Sequence, residues 1–307
     1  MVDGMEKLVV VTGAAGFTGK HIASAFLNHG YEIRSLVSNL NRPDPFQGKV
    51  RFLPYQFDDY EALKANLKGA RSLINTYWVR FNYGEVNFDR AVENSRRMFQ
   101  AAREAGVERI IHISVTNPSA DPQLPYFRGK WILEQELIQL DLSYAVIRPT
   151  LIFGPADILI NNIAYLLRKL PVFVIPGDGE YRLQPISIQE LSDMVVRAES
   201  SSDNLAVDAA GPEVYSYNEM VKMISRAVGS RSLLVHLPPR LAVFLARLIG
   251  YWLRDILITD DEIAGLMMNK LVSGSPPTGQ VSFSDWLSKN KNGLGKSYSS
   301  ELARNYQ

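Results

Sequence analysis

The sequence predicts an α/β fold, a doubly wound parallel sheet followed by a smaller, mostly helical domain, and three observations lead there. Short apolar runs alternate with segments of helical periodicity through the first half, the rhythm of successive βαβ units. A glycine-rich turn joins the first apolar run to the first helical segment. Beyond residue 150 the alternation gives way to helices separated by Pro- and Gly-rich loops.

In chain order, residues 8–11, 32–37, 50–54, 72–75, 109–114 and 143–148 read as strands, because each is a short apolar run bounded by polar or turn residues. Between them, 19–28, 59–67, 88–105 and 130–140 place apolar residues at helical spacing. Gly30 stands where the first helix needs a C-cap, and Asp58 and Asp59 put carboxylates at the start of the second. Gly154-Pro155 breaks the chain after the sixth strand. A helix over 161–170 follows, then a loop-rich stretch marked by Pro171, Pro176, Gly177 and Gly179. Helices are expected over 188–199, 217–228, 240–253 and 259–268, the last opened by the capping-box pattern Thr259-Asp260-Asp261-Glu262. The expected division is 1–155 as the core and 156–307 as the smaller domain, with segments such as 183–210 able to return to the core.

Composition narrows the functional classes. The 307 residues are 46% hydrophobic and 21% charged with a net charge of +1, which gives no electrostatic reason for a nucleic-acid partner and points to a small-molecule ligand. With no cysteine, disulfides, thiolate metal sites and cysteine nucleophiles are excluded together. The four histidines, His21, His29, His112 and His236, lack metal-ligand spacing, so no metal is expected. Residues 1–7 lack the basic and apolar regions of a signal peptide, and a cytoplasmic location is the expectation. The apolar stretch 241–253 falls short of the roughly 20 residues that span a bilayer. It reads as a packed helix and membrane association is not expected, although Arg240, Arg247 and Arg254 make a lipid interface its rival reading.

The turn Thr12-Gly13-Ala14-Ala15-Gly16-Phe17-Thr18-Gly19 follows a strand and opens a helix, the context in which glycines let a backbone approach a pyrophosphate at a helix N-terminus. A nicotinamide dinucleotide is therefore the expected cofactor. Neither Gly13–Gly19 nor Gly295-Lys296-Ser297 has the spacing of a nucleoside-triphosphatase phosphate loop.

This turn resembles the cofactor turn of the extended and atypical short-chain dehydrogenase/reductases, the Rossmann-fold group that includes NAD-dependent epimerases and dehydratases. The likeness continues in Gly106-Val107-Glu108-Arg109-Ile110-Ile111-His112-Ile113-Ser114, in Arg148-Pro149-Thr150 with Phe153-Gly154-Pro155, and in Gly177-Asp178-Gly179, Arg182 and Pro185-Ile186-Ser187-Ile188. The last hundred residues match loosely and are most similar to the atypical branch that holds the dinucleotide-binding accessory subunit of respiratory complex I. The resemblance implies cofactor contacts from Gly13, Ala15, Gly16, Phe17, Thr18, Gly19, Ser38, Asn39, Gln56, Phe57, Asn75, Thr76, Ser114, Lys130 and Pro149. It implies substrate contacts from Tyr77 and Arg182.

Tyr126 and Lys130 lie four apart at a predicted helix start, so their side chains share a face. A nearby ammonium lowers a phenol pKa toward working pH, and this is the acid/base pair of the resembled families. The resemblance implies that Thr116 or Ser114 supplies the hydroxyl that orients a substrate oxygen. Glu134 and Glu136 are expected to face solvent.

The position that carries an acidic residue in NAD-binding members falls on Val37, followed by Ser38 and Asn39, with Arg34 and Arg42 near enough to meet a phosphate. Both NAD and NADP fit this pattern, and the missing carboxylate tips the balance to NADP. The expected function is an NAD(P)-dependent oxidoreductase or epimerase acting on a carbinol or carbonyl, a nucleotide sugar among the candidates. The alternative is a non-catalytic dinucleotide-binding sensor or complex subunit that docks through residues 241–253. A homodimer through the segments 88–105 and 130–140 is the expected assembly.

Overall fold

In the computed structural model, residues 7–306 are described. Residues 1–6, read above for leader features, and residue 307 lie outside them. The chain begins β1 (Leu8–Thr12), α1 (Phe17–Asn28), β2 (Glu32–Val37), β3 (Val50–Pro54), α2 (Tyr60–Leu67), β4 (Ser72–Asn75), α3 (Phe88–Glu104), β5 (Arg109–Ile113), α4 (Pro125–Ile138) and β6 (Ser143–Pro149). Then come β7 (Leu151–Phe153), α5 (Leu159–Lys169), β8 (Val172–Pro176), β9 (Arg182–Leu183) and β10 (Pro185–Ser187). Next are α6 (Ile188–Ser200), β11 (Leu205–Ala209), β12 (Tyr215–Ser216), α7 (Tyr217–Val228) and β13 (Leu233–Leu237). The helices α8 (Pro239–Leu253), α9 (Asp260–Met267), α10 (Phe283–Asn290) and α11 (Glu301–Asn305) complete it.

Two compact units emerge, one of residues 1–149 with 188–207, the other of residues 150–187 with 208–307. The first is built on a seven-stranded sheet ordered β11-β6-β5-β4-β1-β2-β3. The pairs from β6 through β3 run parallel. Order reverses between β1 and β4, the switch point outside which such sheets bind ligands. Val9, Val10, Val11, Leu73, Ile74, Ile110 and Ile111 are fully buried, as strands covered on both faces require. Leu63, Leu67, Met98, Phe99, Leu133 and Leu137 from α2, α3 and α4 complete this core.

The amino ends of the strands are closed by the return segment, residues 188–207, through two buried charges. Glu199, at the end of α6, accepts from the Tyr31 hydroxyl at 2.5 Å and the Ser72 hydroxyl at 3.1 Å, with Arg71 Nε at 3.4 Å. Arg109 at the start of β5 donates to the Ala198 carbonyl at 2.9 Å and the Asp203 carbonyl at 2.7 Å.

The second unit buries Phe153, Ile160, Leu167, Ile175, Met220, Ile224 and Phe283 in its own core. It is less purely helical than its sequence suggests. Of its three two-stranded sheets, β10-β7 and β12-β9 use segments of two or three residues, too short to show a strand period, whereas β13-β8 pairs two five-residue apolar runs absent from the expected strands. The capping box at Thr259 and Glu262 forms as expected, and a second, at Ser216 and Glu219, opens α7. Buried Asp255, just past α8, accepts from the Tyr298 hydroxyl at 2.6 Å and from the Glu301 and Leu302 amides at 2.8 and 3.0 Å, at the start of α11.

Candidate functional site

The site lies at the carboxyl ends of β1, β2, β4 and β5 in the first unit. Gly13 turns the chain at φ 66°, its N–H bonded to the Leu36 carbonyl at 2.8 Å, and its own carbonyl accepts from Gly16 at 2.8 Å. A Cβ at Gly19 would stand 2.3 Å from the Gly13 oxygen, so only glycine lets α1 approach the turn this closely. The Ala14 amide is anchored on the buried Ser35 hydroxyl at 3.1 Å. Gly16 is the N-cap of α1, with no side-chain cap and no acidic residue in the first turn. The positive end of the helix is thus left to an anion. Ala15, Phe17 and Thr18 are half-buried around it.

Beyond the turn, buried Thr12, Asn75 and His112 and half-buried Thr76 form a lattice. The Thr12 hydroxyl receives the Thr76 amide at 2.7 Å and lies 3.3 Å from Asn75 Oδ1, while the Thr76 hydroxyl donates to the Thr12 carbonyl at 2.5 Å. Asn75 Nδ2 donates to His112 Nδ1 at 3.0 Å, which leaves the histidine proton on Nε2. Burial, assisted by the Lys130 charge, holds His112 well below the usual histidine range, so it is neutral. Asn75 is fully buried and acts through these bonds.

Tyr126 and Lys130 both fall inside α4, which begins at Pro125. Lys130 is 2% exposed, donates from Nζ to the Ile113 carbonyl at 2.7 Å, and lies 4.5 Å from the centre of the Trp78 ring. Burial pulls its pKa down to about 7, against a smaller upward pull from Glu134. Trp78 reaches this position because residue 129 is glycine: a Cβ there would come within 2.5 Å of the indole. Tyr126 sits edge-on to the same indole at 5.9 Å and to Phe88 at 6.0 Å. The two members of the pair therefore meet one shared cover. Ser114 is buried with no partner for its hydroxyl, whereas Thr116 is fully buried with its amide on the Pro149 carbonyl at 3.0 Å.

Glu134 departs from the sequence expectation. It is 1% exposed and holds Arg148 through two-pronged bonds of 3.0, 3.1 and 2.5 Å, because β6 presents an arginine to the inner face of α4. Glu136 does pair at the surface, with Arg96.

On the adenosine side, Ser38 is exposed, and Asn39 accepts from the Asn41 amide at 2.9 Å. Arg34 is committed elsewhere, donating to the Asn66 and Lys68 carbonyls at 2.6 and 3.0 Å. Arg42 instead keeps a buried Nη2 with no acceptor. Gln56 is exposed in a left-handed conformation at φ 58°. Phe57 stacks on Tyr55 at 4.8 Å, and Tyr77 closes the trio at 5.1 Å from each. Tyr77 is further held by Asn94, which donates to its hydroxyl at 2.9 Å. Arg182 lies in the second unit, exposed on β9, its amide on Asn269. The neighbouring Glu180 accepts from Asn218. Trp78, Tyr55 and His112 complete the site beyond the contacts expected from sequence. The aromatic run Tyr77-Trp78 after β4 and the alternation Tyr55-Gln56-Phe57 after β3 were the available signals.

A model of the NmrA-like family matches residues 5–253. The chain belongs to the NmrA-like family. Among the relatives of this NmrA-like protein is the mouse NADH dehydrogenase [ubiquinone] 1 alpha subcomplex subunit 9, mitochondrial, 27% identical over 230 residues. That match covers 71% of this chain and 60% of the mouse protein, so the chain spans less than two thirds of that relative. The photosystem II assembly factor Ycf39 of Guillardia theta is 25% identical over 80% of this chain and 77% of its own. Among solved structures, a UDP-glucose 4-epimerase of Thermotoga maritima with UDP-glucose aligns with a TM-score of 0.70 at 20% identity, covering 93% of this chain and 97% of its own. A Thermus thermophilus UDP-glucose 4-epimerase complex with NAD gives 0.68 at 19%, covering 93% and 99%. These likenesses establish the Rossmann architecture, and the relatives place the chain on the atypical branch of the short-chain group.

Proposed function

We propose that this NmrA-like protein binds a nicotinamide dinucleotide and acts through the bound state, as a sensor or a subunit, with Lys130 of its Tyr126–Lys130 pair covered by Trp78. The observation that carries this reading is Trp78, lying against Gly129, over Lys130 and edge-on to Tyr126.

The residues suit the cofactor at three points. The glycine turn and the uncapped α1 suit the pyrophosphate, the unpaired Nη2 of Arg42 suits a ribose phosphate, and the unpartnered Ser114 hydroxyl suits the nicotinamide end. Arg42, with no carboxylate at the end of β2, favours NADP over NAD. When bound, the dinucleotide supplies a hydride donor or acceptor. The names of the relatives, a complex subunit and an assembly factor, agree with a role without turnover.

Calorimetric titration with all four dinucleotides tests the binding. NADP and NADPH are expected to bind about tenfold more tightly than NAD and NADH, about 1.4 kcal/mol, and Arg42→Gln to erase the difference. Absence of dinucleotide binding in the wild type would remove the proposal.

A second reading, an oxidoreductase or epimerase, is favoured by the spacing of Tyr126 and Lys130 and by a lysine that changes protonation near pH 7. Turnover of a carbonyl or nucleotide-sugar panel that disappears in Tyr126→Phe would establish it.

A further inference from the structure

Helix α8 is apolar on two opposite sides. Its inner side, Ala242, Val243 and Gly250, is buried, and a Cβ at Gly250 would come within 2.5 Å of the Asp255 carbonyl oxygen. On its outer side Leu241, Phe244, Leu248, Tyr251 and Trp252 are 44, 55, 55, 88 and 74% exposed. At about 100° per residue these five fall in one stripe about 100° wide. Arg240 and Arg247, one heptad apart, line up along one edge of it, and Arg254 follows as the left-handed C-cap of the helix, all three exposed. No acidic residue occurs in α8. Arg247 pairs with Asp260 at 2.7 Å, whereas Arg240 and Arg254 have no acidic partner among the described residues.

We propose that this face docks on an anionic membrane surface, with α8 lying in the headgroup plane. An apolar stripe with a basic edge has the form of an interfacial helix, in which apolar burial and attraction to acidic lipid act together. The adjacent Tyr251 and Trp252 carry polar edges on apolar rings, the side chains that settle at headgroup depth. Among the described residues no helix is long and apolar enough to cross a membrane, so the helix lies on the surface. Charge also separates this occupant from a second copy of the chain. Antiparallel pairing through the stripe brings the two arginine edges to the same side, a repulsion that an acidic surface converts to attraction. The inference goes beyond dinucleotide binding and reverses the sequence expectation of a helix packed within the protein.

The test is co-sedimentation of the full chain with vesicles of phosphatidylcholine alone or mixed with phosphatidylglycerol, read alongside tryptophan emission. Sedimentation with the acidic vesicles and a blue shift that Trp252→Phe removes are expected. Phe244→Glu with Leu248→Glu abolishes binding, and each of Arg240→Gln and Arg254→Gln weakens it roughly fivefold. Because all four residues are exposed, the variants keep the wild-type unfolding midpoint and dinucleotide affinity. Wild-type protein that stays in the supernatant with acidic vesicles overturns the proposal. So does equal binding to neutral vesicles, or a solution dimer that the Phe244→Glu, Leu248→Glu variant dissociates and acidic vesicles do not.

Discussion

The two ends of the central sheet differ in how their polar groups are used. At the amino ends Glu199 and Arg109 meet hydroxyls and backbone carbonyls from neighbouring elements, and their buried charges are satisfied within the unit. At the carboxyl ends Arg42 Nη2, Trp78 Nε1, His112 Nε2 and Ser114 Oγ are buried without partners. A folded protein leaves few such groups, because each forgoes a hydrogen bond that water would have supplied. Tyr60, Ser95 and Ser232 carry the other such atoms among the described residues, and the gathering of the first four at one end marks where stability gives way to ligand binding.

Four changes test this contrast, taken from the largest effect to the smallest. Gly19→Val drives a side chain into the Gly13 carbonyl, and dinucleotide affinity should fall by more than about 100-fold in titration calorimetry, about 2.7 kcal/mol. Gly274→Ala, in open space, should leave it intact. Glu199→Ala at the opposite end should cost about 2 kcal/mol in urea unfolding, since the Tyr31 and Ser72 hydroxyls lose their acceptor and Arg71 keeps only Glu108 at 3.7 Å, with affinity unchanged.

The third change concerns pH. Lys130 has a folded pKa of about 7 against an ordinary 10.5, so between these values the unfolded chain binds the extra proton. Stability should therefore rise with pH across that window, by roughly 1 kcal/mol per unit, and Lys130→Met should flatten the rise in thermal unfolding scans. His112 acts in the same direction lower down, its neutral folded form costing stability as pH falls below 6.5. The smallest effect is expected from Tyr126→Phe, which should alter dinucleotide affinity by less than about twofold, under 0.5 kcal/mol, if the tyrosine stays clear of the cofactor. A larger loss would show the phenol meeting the cofactor and would shift the balance to the oxidoreductase reading.

Much of the first unit was legible because parallel strands buried on both faces write contiguous apolar runs, and because Gly13, Gly16 and Gly19 fix a backbone path by what they lack. The cover over Lys130 was not legible. Trp78 and Gly129 are far apart in sequence, and each alone is an ordinary residue. Glu134 was misjudged for the same reason, since periodicity assigns a helix face but not the arginine on a neighbouring strand that meets it. In the second unit the two-residue strands are set by tertiary pairing. In α8 the buried and the exposed sides are both apolar, so the hydrophobic pattern does not say which of them faces the protein.

Asp255 joins two parts of the second unit that differ in sequence by more than forty positions. One carboxylate, in the turn leaving α8, receives both the start of α11 and the Tyr298 hydroxyl. Hydrogen exchange should therefore find the turn after α8 and the first amides of α11 opening as one cooperative unit, and a reader of that exchange pattern could follow events at α8 from the far end of the chain.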